Sequence, residues 1–491
     1  MLKKRYPYLI IIFIGVLLYA WTAFFDFSYF DDQALIIDNS AIIGDVSNVG
    51  RLFVDDAFFS ENNFYYRPLL NLSLMLDMQV SGSLPWFFHL TSALLHILAA
   101  CLLFLVLRKL GTSLNRSLWL SLFILVHPAL VQAVAWIPGR NDSILAIFIL
   151  SSFWFFLSFL DKARGSAFAG SLLFFLAALF TKEVAIVMPI LFAFYYLFLT
   201  DKKLARADIS LFVLGSAGAL ILWLLLRRLA IDGDLGGLAT ILLAIVENSP
   251  AAVINFGKFF FPFNLAIMPV MADVTILYGL TAIFLIALAA RLKLIIKGWL
   301  AFGLIWFIAF TLPAFINPNP EEFYYLLLLE HRLYLPFFGL IFILKDFKWP
   351  NWLEIMNRPQ LTRQLSNLFF VSILVLFIIL SALHLPNFKD RLSFWEFAAE
   401  RSPRSPLAHR NLGAMLYFEN RPDDAAAAYR RALELNPQEK MAHNNLGVIY
   451  LDNNELEAAE EEFRLELAVN PGYEVTLANI QRLLILKNQL R

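Results

Sequence analysis

The stretch 166–200, SAFAGSLLFFLAALFTKEVAIVMPILFAFYYLFLT, is apolar throughout except for one interruption at Lys182-Glu183. As a single helix rising 1.5 Å per residue it would be roughly 52 Å long, far more than the ~30 Å hydrocarbon core of a bilayer needs. The chain must therefore fold back near Lys182-Glu183, leaving spans at about 166–181 and 184–200.

Working outward, apolar runs of spanning length recur at about 8–25, 86–107, 117–136, 142–160, 209–229, 273–290, 298–315, 331–345 and 366–384. With the two above, these predict an all-α polytopic membrane domain of about eleven spans. The overall composition agrees, with 60% hydrophobic residues, 16% charged, and a mean hydropathy of +0.67. The first run follows the basic Met1-Leu-Lys-Lys-Arg5 but is longer than a typical signal-peptide core, so it reads as an uncleaved span. Segment 235–270 is only intermittently apolar and carries Pro250, Pro262 and Pro269, which predicts interfacial helices. A lone cysteine, Cys101, excludes an intrachain disulfide.

The short loops bearing Arg108, Lys109, Arg116, Lys202, Lys203, Arg291, Lys293 and Lys297 fall on one side of such a bundle, and the opposite loops carry far fewer basic residues. The positive-inside rule puts that basic side in the cytoplasm and, with an odd span count, the C-terminus outside. The compact loops favour a bacterial inner membrane over the endoplasmic reticulum.

From about residue 388 the composition turns polar and helical. Asn411-Leu-Gly413 recurs as Asn445-Leu-Gly447, Tyr429 as Phe463 and Pro437 as Pro471, each at a spacing of 34, which is the tetratricopeptide period. Two domains are therefore expected: a membrane domain at 1–387, with an external loop at 26–85, and a repeat domain at 388–491.

The external loop opens with Asp26-Phe-Ser-Tyr-Phe-Asp31-Asp32. Two adjacent carboxylates beside a span suit general-base work, because partial desolvation can raise one pKa while the other stays ionised; they equally suit a divalent cation. On the same face lie Tyr66-Arg67-Pro68, His127-Pro128, Gly139-Arg140-Asn141-Asp142, Lys182-Glu183 and Glu330-His331-Arg332-Leu333-Tyr334. Ionisable groups at span ends are costly and mark sites or paths. Taken one at a time, each could be a structural ion pair. Together they suit a site that grips a phosphorylated lipid with arginine and lysine and activates a hydroxyl with aspartate. His89 and His96 share a face of one span without a third ligand, so helix contacts explain them better than a metal does. No phosphate-cradling glycine loop, Gly-x-Ser-x-Gly elbow or metal cluster is found, and nothing points to nucleic acid.

These stretches, with Phe88-His89-Leu90, Ala133-Val-Ala-Trp136 and Arg332-Leu-Tyr-Leu-Pro336, resemble in kind and order the transmembrane and tetratricopeptide-repeat-containing O-mannosyltransferases and their bacterial relatives, of the type C glycosyltransferase fold. The resemblance implies a polyprenyl phosphate sugar donor, with mannose as a candidate sugar, and a hydroxyl acceptor on protein or glycan engaged through the repeats. It also implies Asp31 or Asp32 as base, and Arg67, His127, Arg140, Lys182, Glu183, Arg332 and Tyr334 around the donor. One departure is Gln132, where the family pattern carries glutamate; glutamine cannot carry a proton. Two readings compete: a non-catalytic membrane scaffold whose repeats bind a peptide, and an oligosaccharide ligase, although ligases place their main external loop late in the chain.

Overall fold

The computed structural model describes residues 2–60, 65–162, 164–231, 238–316, 327–348 and 359–489. It is all-helical over these residues and divides into two compact units, 1–265 with 276–389, and 266–275 with 390–491.

In the first unit the α-helices longer than about one turn are α1 (Leu2–Tyr19), α2 (Pro68–Ser81), α3 (Pro85–Lys109), α4 (Leu114–Leu125), α5 (Arg140–Lys162), α6 (Gly165–Thr181), α7 (Met188–Phe198), α8 (Arg206–Ala230), α9 (Leu238–Phe260), α10 (Leu277–Arg291), α11 (Lys297–Thr311), α12 (Tyr334–Leu344) and α13 (Pro359–His384) among the described residues. Proline at the first position, where its missing N–H costs nothing, starts α2 and α3. The helix breaks where the fold-back was expected: α6 stops at Thr181, and Lys182 takes an extended conformation at φ −160°, ψ 135° before a 3-10 turn leads into α7.

All eleven apolar runs fall on helices, but the count of eleven spans is not confirmed. Among the described residues six helices are long and apolar enough to cross a membrane, or seven if one bent pair is a single span. That pair is the 117–136 run, which turns by 55° between Leu114–Leu125 and Pro128–Ala135. Pro128 there starts a new helical turn. Gly165–Thr181, Glu183–Phe198 and Leu277–Arg291 are apolar but shorter, and α12 is an eleven-residue helix buried along almost its whole length.

Within 235–270, which the sequence reads as interfacial helices, α9 runs 23 residues, straight through Pro250, and it is not among the helices long and apolar enough to cross a membrane. Asn248 donates to the Phe315 carbonyl at 3.1 Å and Asn255 to that of Leu327 at 3.0 Å, while Glu247 and Ser249 are exposed.

The core of the first unit is aromatic, centred on Phe153, Phe156, Phe192, Phe302, Trp306 and Phe342. Helices α11 and α12 approach so closely at Gly303 and Gly339 that a Cβ on either would collide with the other's carbonyl oxygen. Small residues permit such backbone contact, the usual basis of tight helix association in lipid. Ser152 and Ser171 exchange hydroxyl-to-carbonyl bonds of 2.8 and 3.1 Å between α5 and α6.

The loop between α1 and α2 is itself packed. Leu35, Ile36, Ile43 and Leu52 join Leu70, Leu74 and Met75 of α2, and Phe88 of α3, in a separate core, and the Asp26 amide donates to the Lys389 carbonyl at 2.8 Å.

In the second unit, α14 (Arg391–Arg401), α15 (Pro406–Phe418), α16 (Pro422–Leu435), α17 (Ala442–Asp452), α18 (Leu456–Val469) and α19 (Glu474–Gln489) alternate as helix pairs. Gly413 and Gly447 let the rings of Tyr429 and Phe463 lie within 2.7 Å of where a Cβ would stand. The turns within each pair reverse at Asn420 (φ 58°) and Asn454 (φ 64°), residues that tolerate the left-handed region. Asp390 and Ser405 cap α14 and α15.

Candidate active site

Asp31 and Asp32, adjacent in sequence, have different surroundings. Asp32 is 1% exposed, and its carboxylate accepts from Ser28 N (2.6 Å), Ser28 Oγ (2.9 Å), Phe30 N (2.9 Å) and Gln33 N (3.2 Å). It shapes the turn and has little lone-pair capacity left for a substrate or a cation. Burial raises its pKa, opposed by the bonds from Phe30 and Ser28. Asp31 is half-buried, and no side-chain bond among the described residues ties up its carboxylate. Burial lifts it to about 6; Arg67 and Arg332 pull it down, and Asp32 pushes it up. A carboxyl near neutrality beside two cations has the character of a general base.

Arg67, at the residue before α2, stacks its guanidinium over Tyr65 at 4.3 Å. Arg332 sits in the 3-10 turn Glu330–Leu333 that leads into α12. Both interact electrostatically with Asp31, Lys182 and Glu183. Each also has a buried Nε with no hydrogen-bond partner among the described residues. Lys182 pairs with Asp142 Oδ1 at 2.8 Å. Asp31, Arg67, Lys182, Glu183 and Arg332, drawn from four separate stretches of chain, therefore form one charged cluster.

The other three expected residues have partners of their own. Arg140 is 0% exposed; it pairs with Asp77, donates to the Phe88 carbonyl, and bonds Ser92 Oγ at 3.1 Å. His127 uses both ring nitrogens, with Nε2 at 3.0 Å from the Phe259 carbonyl and Nδ1 accepting from Ala129 N at 3.2 Å, inside a cage of Phe123, Phe259, Phe337 and Phe377. The Tyr334 hydroxyl meets His96 Nδ1 at 2.6 Å. These three hold helices together.

The expected set omitted Asp142, Gln132 and His331. Gln132 Oε1 accepts from both the backbone N–H (3.1 Å) and Nδ1 (3.2 Å) of His331, whose Nε2 lies 3.9 Å from Asp142 Oδ2. Trp136 links this group to the aspartate loop, with its ring against His331 at 5.2 Å, its other side stacked on Phe30 at 6.3 Å, and its Nε1 donating to Ser28 Oγ at 3.1 Å. A second buried network, Lys258 to Glu330 at 3.1 Å and Glu330 to His384 at 3.5 Å, anchors the turn that carries Arg332. Among the described residues no three His, Cys, Asp or Glu side chains converge as metal ligands.

Fold and site thus define a class: an all-helical, multi-pass membrane protein with a cationic cluster around the half-buried Asp31 carboxylate, followed in the chain by tetratricopeptide repeats. The dolichyl-phosphate-mannose-protein mannosyltransferase family model matches residues 67–226, and a tetratricopeptide repeat model matches 416–474. Protein O-mannosyl-transferase Tmtc1 of Drosophila melanogaster is 32% identical over 171 residues, 33% of this chain and 19% of that protein. Human Protein O-mannosyl-transferase TMTC2 is 30% identical over 232 residues, 43% of this chain and 27% of its own length. The chain therefore spans only about a fifth to a quarter of these relatives, and over those segments it is similar to the family that its motifs resemble.

Proposed function

We propose that this chain is a type C membrane glycosyltransferase that moves a sugar, mannose by analogy with its relatives, from a polyprenyl phosphate carrier to a hydroxyl of a protein acceptor on the extracytoplasmic face. The observation that carries the reading is the convergence of Arg67 and Arg332, each with an unused buried Nε, on the half-buried Asp31. Asp31 takes the acceptor's hydroxyl proton as that oxygen bonds to the anomeric carbon. The bond from that carbon to the phosphate oxygen breaks with inversion, and polyprenyl phosphate leaves. Arg67 and Arg332 hold the charge that develops on the phosphate, the step at which preorganised cations help most. Lys182 adds positive charge to the same cluster. Arg140, His127 and Tyr334, already satisfied, support the fold. The repeats bind the acceptor polypeptide.

The test is transfer by the purified protein in proteoliposomes containing dolichyl-phosphate-mannose, read by mass spectrometry of acceptor proteins from cells lacking the gene. Mannosylated product is expected. No product with any polyprenyl phosphate sugar, together with unimpaired glycoproteins in the deletion strain, would leave the scaffold reading in its place.

A further inference from the structure

The Gln132–His331–Asp142 arrangement is left without a role by the transfer mechanism. A backbone N–H can only donate, so the Gln132 oxygen that receives it from His331 at 3.1 Å must be an acceptor. The same oxygen faces His331 Nδ1 at 3.2 Å, so Nδ1 carries the proton and the neutral ring presents a bare lone pair at Nε2. That lone pair faces Asp142 Oδ2 across 3.9 Å, too far for a hydrogen bond and the wrong pairing, because both atoms are acceptors. Asp142 is 3% exposed, and its Oδ2 has no other partner among the described residues. The neighbouring Asn141, 2% exposed, leaves both atoms of its amide unpaired. Buried polar atoms with no partner are costly and call for one.

Two facing acceptors need a donor between them. A metal cation fits poorly, because Lys182, Arg332 and Arg67 already crowd the ring with positive charge. A neutral O–H fits better: it adds no charge and donates to one of the two acceptors. Since Lys182 bonds the other oxygen of Asp142, this pair lies directly beside the phosphate-binding cations, where the sugar of a glycosyl phosphate would sit.

Resting on the transfer reading, we propose that His331 Nε2 and Asp142 Oδ2 form a subsite that receives a hydroxyl of the donor's sugar ring, and that Gln132 positions it by locking the imidazole tautomer. The glutamine found where glutamate is usual thus has a task that needs no proton.

The experiment compares binding and turnover of dolichyl-phosphate-mannose, its monodeoxy sugar analogues and dolichyl phosphate by the full-length protein in detergent. One deoxy analogue is expected to lose on the order of 10- to 100-fold in affinity and in kcat/KM, the cost of leaving a buried acceptor unpaired. In His331→Phe, which keeps a ring in place, that analogue and the parent donor should differ by no more than about threefold. The parental analogue series requires no folded variant, so the proposal does not depend on the substitution being tolerated. Equal binding of all the deoxy donors by the parental protein overturns the subsite, as does a His331→Phe defect confined to the acceptor KM. Discrimination in binding without any transfer would instead sink the transferase reading and leave the subsite standing.

Discussion

Asparagine at position 31 and asparagine at position 32 should have opposite consequences. Asp31→Asn keeps the side chain's shape but abolishes proton acceptance, and a positioned general base contributes roughly 10²–10⁴ in rate, or about 3–5 kcal/mol in the barrier. The substitution should not harm folding. The native carboxyl titrates near 6 against an ordinary 3.8, so the folded state disfavours its charge, and the stability lost as pH rises through 6 is recovered in the neutral amide. Asp32→Asn replaces a carboxylate that takes four donors with a group that itself presents an N–H₂. At least one donor is left facing another, at about 1–3 kcal/mol. Mannosyl transfer from dolichyl-phosphate-mannose and thermal unfolding in detergent, measured on both variants, separate the two roles. The expected pattern is a nearly inactive Asp31→Asn that melts no lower than the parent, and an Asp32→Asn that melts lower and retains a measurable rate. An Asp31→Asn protein turning over at the parental rate, with donor saturating, refutes the assignment of the base.

The acid limb of the transfer rate should fall near pH 6, because the base works only when deprotonated, and Arg67→Ala should move that limb to higher pH since Arg67 holds the Asp31 pKa down; a pH profile of kcat/KM reads both. Lys258→Met takes the lysine from Glu330, which is 0% exposed and lies 3.5 Å from His384, at up to about 3–5 kcal/mol; melting of Lys258→Met with and without Glu330→Gln checks it, and the double variant should recover much of the loss. Gly447→Ala puts a Cβ within 2.7 Å of Phe463 and should cost about 1–3 kcal/mol, seen as faster proteolysis within 390–489 in the intact chain. A reporter active only in the cytoplasm, fused after Arg491, should stay silent; full activity would reverse the proposed sidedness.

Much of the architecture was legible because its causes are local. The helix break at Lys182-Glu183 follows from helix rise and bilayer thickness, and the repeats follow from a 34-residue recurrence that places glycine against an aromatic ring at Gly413 and again at Gly447. The number of spans was not legible. Apolarity alone does not distinguish a helix in lipid from one in a protein core: the 331–345 run became α12, short and enclosed by other helices. Nor were the inward bonds of Asn248, Asn255 and Lys258 on α9 legible. Those partners lie about 70 residues away in the chain, beyond the reach of a window-based reading.

Charged groups at span ends differ in how completely the structure pairs them. Every ionisable group there draws attention because burying it is expensive, yet the same expense means that the most deeply buried are the most fully paired. Arg140 stood out in the sequence and is spent on Asp77, Ser92 and the Phe88 carbonyl; His127 has given both nitrogens to backbone groups. Capacity for a ligand survives where burial is incomplete, at Asp31, Arg67 and Arg332, or where a buried group is left deliberately unmatched, as at Asp142 Oδ2. Gln132 follows the same logic. Judged by its own chemistry it weakens a catalytic reading, because an amide moves no protons, but judged by what it bonds it fixes which nitrogen of His331 is bare. In a membrane interior, then, the number of hydrogen bonds a polar residue still lacks says more about its role than whether it can ionise.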